Sequence, residues 1–254
     1  MNWKAIARYE VGISHQKQDL PCQDFADFRT FDDVIIGAVA DGAGSAKYSD
    51  IGAKLAVEAV INYLRWQRES FSQPLSEKKA QKLFRETVKK VNIVLQKQAD
   101  SKDYAVEDLA CTLLVFVATP YWIAAMQIGD GFIVVRSQDS EYQMLFQPDK
   151  GEFANETTFV TSTNALDDMQ IKVFSEKPEF ICASTDGLEK VAIRFSDWKP
   201  FPPFFKPLEE YLQETQKPEE EDEYISNFLK LEQLNARTDD DKTLLLCLFD
   251  NSKF

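Results

Sequence analysis

Several things are scarce in this chain. Its 254 residues include one histidine and four cysteines, with no Cys-x-x-Cys pair among them. Zinc of the His/Cys type is therefore poorly supported, since such a site needs several N or S donors at short spacing. Sparse cysteine also excludes a disulfide framework. Nine glycines and ten prolines leave no room for collagen-like or low-complexity classes. Basic residues are outnumbered: 29 Lys and Arg stand against 42 Asp and Glu, for a net charge of −13. Binding to nucleic acid phosphates draws on clustered Lys and Arg, so no nucleic-acid partner is expected. An anionic membrane surface is disfavoured on the same ground. The start, Met1 to Arg8, lacks the continuous apolar stretch of an export signal. A cytoplasmic location with reduced thiols is the expectation. The most apolar stretch, 109–128, is interrupted by Thr119-Pro120, and reads as a hairpin of buried strands rather than a membrane span.

What is present points to a folded enzyme-sized unit. A chain of this length buries roughly 70–75% of its unfolded surface without needing covalent staples. The run 34–40 is short, apolar and rich in β-branched residues, and ends at Asp41-Gly42, so it reads as a strand delivering an acid to its tip. After the small-residue turn 41–45, a helix is expected from Ser49 or Asp50, either residue serving as N-cap. Its buried stripe is Gly52, Leu55, Ala56, Ala59, Val60, Tyr63 and Leu64. A second helix follows Pro74 with Ser76 as N-cap and Ala80, Leu83, Phe84, Thr87, Val88, Val91 and Leu95 inward. Strands are expected over 112–118, 122–128, 132–136, 142–146, 171–174, 179–184 and 243–249. The first two are apolar on both faces, as in a sheet covered on both sides. Segment 147–170 is polar and reads as a flap. Segment 196–238 reads as a surface excursion: Pro200, Pro202, Pro203 and Pro207 crowd its start beside Trp198, Phe201, Phe204 and Phe205, a candidate docking patch. Residues 209–241 carry a net −9 of the total charge, read mostly as a solvated helix face. Together these elements predict one domain over 1–254, an α+β fold of two sheets with helices packed outside.

Five aspartates stand beside Gly or other Asp at the edges of apolar runs: Asp24, Asp41, Asp130, Asp186 and Asp240. One Asp-Gly after a strand is a common turn. Several carboxylates brought to converging strand ends are different, because they cannot all stay ionised without countercharge. The usual solution is a hard divalent cation with oxygen ligands, here Mg²⁺ or Mn²⁺.

The ordered set Gly12-Ile13-Ser14-His15, Cys22-Gln23-Asp24, Val39-Ala40-Asp41-Gly42-Ala43-Gly44-Ser45, Cys111-Thr112, Ile128-Gly129-Asp130, Ser184-Thr185-Asp186-Gly187 and Asp240-Asp241-Lys242-Thr243 resembles the metal-dependent protein phosphatases of type 2C, in their compact bacterial branch. The likeness runs from about residue 6 to 250. It implies a four-layer α-β-β-α sandwich of two mainly antiparallel sheets, with a binuclear metal centre in the cleft at one end. By that resemblance Asp41 bridges both metals, the Gly42 carbonyl ligates the second, and Asp186 and Asp240 complete the first. Asp24 holds metal-bound water, and a third, weaker ion is shared by Asp130 and Asp186. Two cations about 3.5–4 Å apart activate water and steady both attacking and leaving oxygens. No covalent phosphoenzyme is needed, and no Cys-x5-Arg loop is present.

The chain departs from the family's pattern in places. Gln23 stands where Glu is frequent, Ala43 where some relatives carry a His that acts as general acid, Asp19 where an Arg often grips phosphate, and Gly131 where Ser is usual. His15 and Lys17 are the candidates to bind the substrate phosphate in compensation, and His15 is also a catalytic candidate. Cys22, Cys111, Cys182 and Cys247 lie on or beside strands and read as inert buried thiols. Ser45 and Lys47 read as turn and helix-entry residues. The expected function is hydrolysis of phosphoserine and phosphothreonine in proteins, opposite a Ser/Thr kinase. The alternative is a catalytically weak relative that binds a phosphoprotein or kinase as an adaptor, through the Pro/Phe segment.

Overall fold

In the computed structural model, which describes residues 3–138, 140–146 and 157–250, the strands form two five-stranded sheets. The first contains β1 (Trp3–Glu10), β12 (Lys242–Phe249), β9 (Pro178–Ser184), β6 (Phe132–Ser137) and β7 (Gln143–Met144), in that spatial order. The second contains β2 (Phe25–Phe31), β3 (Val34–Ala40), β4 (Leu113–Thr119), β5 (Trp122–Ile128) and β8 (Gln170–Phe174). Every neighbouring pair is antiparallel. The 109–128 run is indeed the β4–β5 hairpin, and no helix among the described residues is long and apolar enough to cross a membrane.

Three apolar clusters hold four layers together. Between the sheets, Ile35, Val39, Phe116, Ile133, Ile181 and Leu245 interdigitate. On the outer face of the second sheet lie α2 (Ser49–Trp66) and α3 (Glu77–Lys102), packed through Val57, Val60, Leu64, Phe84, Val88 and Val91. On the outer face of the first sheet lie α6 (Pro202–Glu214), α7 (Glu223–Leu229) and α8 (Glu232–Asn235), packed through Phe205, Leu208, Leu212, Ile225 and Leu229. Short pieces complete the chain: α1 (Ile13–Lys17), α4 (Ala165–Asp168), α5 (Glu189–Ala192) and the small hairpin of β10 (Ile193–Arg194) with β11 (Lys199–Pro200). This is the α-β-β-α sandwich expected.

The differences from expectation have physical causes. Helix α3 starts as predicted, with the Ser76 hydroxyl accepting from the Lys79 amide. Helix α2 does not use a side-chain cap: Tyr48 occupies that position and Ser49 is already helical and buried. Its entry is set by tertiary contacts instead, the Tyr48 amide donating to the Asp108 carbonyl at 2.8 Å and the Tyr48 ring stacking on Tyr104. The α2 stripe also reaches Ala53, Val57 and Ile61, because a helix against a two-sided sheet buries a wider arc. Strand β7 keeps two residues of the expected five.

The reading of 196–238 as a surface excursion is corrected. Pro202 and Pro203 open α6, where a proline's missing N–H costs nothing. Phe204 and Phe205 are buried against Phe132, Leu244 and Leu246, so they are core, not a docking patch. Phe201 remains partly exposed. The flap reading of 147–170 falls partly outside the described residues, which omit 147–156. The described remainder packs inward through Val160, whose amide donates to the Cys111 carbonyl at 2.8 Å.

Candidate metal centre

Strand register brings distant aspartates to one end of the sandwich. Pairing of Phe25 with Ala40, Leu113 with Ile128, Phe132 with Ser184 and Glu10 with Lys242 places Asp24, Asp41, the 129–131 turn, Asp186 and the 239–241 loop at the same edge. Asp41 is pinned through its backbone: its amide donates to Thr112 Oγ1 at 3.0 Å, and its carbonyl accepts from the Thr112 amide at 2.8 Å. The next residue must be small. A Cβ on Gly42 would stand 2.8 Å from the Ser49 backbone, and one on Gly187 only 1.8 Å from the Asp241 carbonyl oxygen.

Asp24 joins the two sheets. It precedes β2, yet its Oδ2 accepts from Thr185 Oγ1 at 2.7 Å and from Thr243 Oγ1 at 2.6 Å, both on the other sheet. Asp130 sits between Gly129 and Gly131, both with positive φ (85° and 93°), and its Oδ2 accepts from Thr157 Oγ1 at 2.9 Å. Asp240 lies at the exposed rim, its Oδ1 accepting from the Asp241 amide. His15 stands on α1 with Nδ1 3.0 Å from Asp241 Oδ2. Lys17 is exposed on the last turn of α1, with no hydrogen bond or ion pair among the described residues.

The electrostatics are dominated by burial and by acid–acid repulsion, with Lys190 only partly offsetting it at Asp186. Burial first, then Asp24, Asp186, Asp240 and Asp130, pushes the Asp41 carboxyl up to about 11. Burial raises Asp24 to about 8 against the two threonine hydroxyls, with Asp241 and Asp240 adding to the rise. Asp186 is raised to about 6 by burial, Asp130 and Asp240, while a hydrogen bond with Asp41 opposes the change. Asp240 is raised as well, by burial and by Asp241. Glu189, absent from the sequence-based set, is raised to about 7 by burial, then Asp186 and Asp130. The nearest cation in sequence does not help. Alternation along β12 turns Lys242 to the opposite face, where Nζ donates to Asn235 Oδ1 at 3.0 Å.

Do these residues suit a divalent ion? Buried oxygens of Asp24 (Oδ1), Asp186 (Oδ1) and Gln23 (Oε1) have no hydrogen-bond partner among the described residues. Buried polar atoms are ordinarily satisfied, so orphaned carboxylate oxygens at one locus ask for a ligand. The donor set is hard oxygen, matching Mg²⁺ or Mn²⁺ rather than zinc. Among the described residues no trio of His, Cys, Asp or Glu is already drawn to ligand distances. Asp41 and Asp186 share a hydrogen bond. The chemistry of the donor set fits the group.

Sequence reasoning missed Asp241, Thr185 and Thr243. No local signal separates Asp241 from Asp240, and the threonines act only once the sheets are stacked. The four thiols are unpaired; Cys111, Cys182 and Cys247 are buried as expected and Cys22 is half-buried, and burial pushes each of them up, away from the thiolate. A cavity of about 850 Å³ opens at the other end of the second sheet, lined by Phe31, Asp33, Arg68, Phe71, Tyr121 and Trp122 among others. It is far along the strands from the aspartates. Size therefore does not mark the site; charge does.

Known proteins share this architecture. A family model described as protein phosphatase 2C matches residues 11–230. The chain is 32% identical to the Escherichia coli (strain K12) protein named serine/threonine-protein phosphatase 3, over 98% of this chain and 99% of that one. Among solved structures, the fold is similar to RsbX in complex with magnesium (TM-score 0.56, 16% identity, 97% of this chain and 94% of that chain). It is also similar to the catalytic domain of the serine threonine protein phosphatase PstP in complex with two manganese ions (TM-score 0.59, 15% identity, 97% of each chain).

Proposed function

The chain belongs to the protein phosphatase 2C family, and from that premise we propose that it is a metal-dependent protein phosphatase acting on phosphoserine and phosphothreonine. One observation carries the reading: buried carboxylates from both sheets meet at one edge, and among the described residues only Lys190, acting on Asp186, offsets their charge. We assign Asp41, the Gly42 carbonyl, Asp186 and Asp240 as holders of two Mg²⁺ or Mn²⁺ ions, with Asp130 and Asp186 sharing a third. When bound, such ions supply charge neutralisation and activation of water for attack on phosphorus.

The chain's own side chains then have separable tasks. Asp24, anchored at Oδ2 by two hydroxyls, offers Oδ1 as a fixed acceptor for the attacking water's proton. His15 stands at the rim beside the Asp240–Asp241 loop and passes a proton from Nε2 to the departing serine or threonine oxygen. Lys17, exposed on the same helix, attracts the substrate phosphate. Gly42 and Gly187 keep the backbone close, where any side chain would displace the neighbouring loops. Nothing favours the adaptor alternative, and two of the aromatics in its Pro/Phe segment, Phe204 and Phe205, are buried in the core.

The relative named a serine/threonine-protein phosphatase, aligned over nearly its full length, supports this substrate class. That alignment supports reading 1–254 as one catalytic unit, and the product of a Ser/Thr kinase is the substrate this reading requires. Four unpaired thiols favour a reducing, cytoplasmic setting. The test is phosphate release from a phosphothreonine peptide with Mn²⁺, Mg²⁺ or chelator. Release is expected with either metal and not with chelator; no metal-dependent release from any phosphopeptide would refute the proposal.

A further inference from the structure

Asp241 is 3% exposed, yet it carries no role in the set above. Its carboxylate is the busiest acceptor at this end of the molecule. Oδ1 accepts from the Gly12 amide at 2.6 Å, and Oδ2 from the Gln23 amide at 2.6 Å, with His15 Nδ1 3.0 Å from the same oxygen. Its own amide donates to Asp240 Oδ1 at 2.9 Å. One residue thus holds the turn before α1, the residue before Asp24, the imidazole and the rim aspartate. The approach is tight. A Cβ on Gly12 would stand 2.2 Å from the Asp240 carbonyl carbon, and the Ser14 amide donates to the Asp239 carbonyl at 2.9 Å.

A carboxylate already accepting from two backbone amides is an acceptor toward its third partner as well, so Nδ1 of His15 bears the proton of that contact. Fixing Nδ1 as donor leaves Nε2 as the ring atom free to meet substrate. We propose that Asp241 is the positioning residue for His15: it sets the proton on Nδ1 and, through Gly12 and Gln23, locks the ring in register with Asp24 and Asp240. This rests on the reading that His15 Nε2 serves the leaving oxygen.

Two measurements test it, and the first needs no variant. The chain has one histidine, so a ¹⁵N-labelled, magnesium-loaded sample gives a single imidazole pair without assignment. Nδ1 is expected to carry the proton of the Asp241 contact; an unprotonated Nδ1 overturns the proposal. The second compares leaving groups. Asp241→Asn puts an amide N–H against a donor, and is expected to lower kcat on a phosphothreonine peptide by about 100-fold, the lower end of what a positioned general acid contributes. Loss on p-nitrophenyl phosphate, whose leaving group needs no proton, is expected to be much smaller. Adding Asp241→Asn to His15→Gln is expected to cost nothing further on the peptide. Equal loss on both substrates, or additive loss in the double variant, assigns Asp241 a purely structural part and overturns the proposal. A wild-type protein inactive with metal on both substrates would instead count against the phosphatase reading itself.

Discussion

Around Arg136, at the outer face of the first sheet, buried charge is balanced. Its guanidinium donates through Nε to both oxygens of Glu209 at 3.0 Å and through Nη2 to Glu179 at 3.1 Å, while the Tyr142 hydroxyl donates to Glu209 at 2.6 Å. At the strand ends, Asp24, Asp41 and Asp186 are also buried or half-buried, but the charged groups around them are mostly other acids, with Lys190 acting on Asp186 alone. The first cluster is complete in the chain alone and clamps α6 to β6. The second, under the proposed assignment, would be completed by divalent ions. Buried charge left unpaired is expensive, so a fold keeps it where a ligand repays the expense.

The two clusters should respond oppositely to removal of one acid. Asp41→Asn is expected to lower metal-dependent turnover by at least about 1000-fold, roughly 4 kcal/mol of transition-state stabilisation, while leaving the metal-free protein as stable as before or more so. Near-normal turnover in that variant would show that the cluster is not the catalytic one. Glu209→Ala is expected to do the reverse: about 3 kcal/mol less stability in urea unfolding, because Arg136 is left without its main partner, and a specific activity per folded molecule close to wild type. If Glu209→Ala removed activity with stability intact, the distinction drawn between the clusters would collapse.

A smaller effect lies in pH. Asp186, Asp24 and Asp41 are raised from 3.8 to about 6, 8 and 11, so above pH 4 the folded state holds protons that the unfolded state has released. Stability of the metal-free protein from this cluster is therefore greatest below pH 4 and declines as pH rises toward 8. Saturating Mg²⁺ should flatten the decline, because bound ions replace the protons. Urea midpoints at pH 5 and pH 8, with and without metal, measure it; an equal slope in both conditions would detach the raised acids from metal binding.

The two helical layers show why reading the chain succeeded unevenly. Helices α2 and α3 repeat apolar residues over 18 and 26 positions, and a long repeat declares itself without knowledge of what it packs against. The opposite layer is built from α6, α7 and α8, of 13, 7 and 4 residues, and so gives too few turns for a period to stand out. Its prolines and aromatics resembled a surface excursion until Phe205 was seen against Phe132. At the site, Asp24, Asp41, Asp130, Asp186 and Asp240 were legible as acids ending apolar runs. Asp241 was not, because a carboxylate that accepts from residues 218 to 229 positions earlier leaves no local trace.

By its own pattern, then, the sequence determined most of the strands though not β1 and β2, which two long helices cover a sheet, and that acids rather than His or Cys would supply metal ligands. Those follow from periodicity, β-branching and composition, which act over a few residues at a time. Only the tertiary structure decided which aspartates are neighbours, that Thr185 and Thr243 hold Asp24, and that Lys242 faces away from the charge it adjoins in sequence. Such matters depend on register and stacking, in which a shift of one residue sends each side chain to the opposite face.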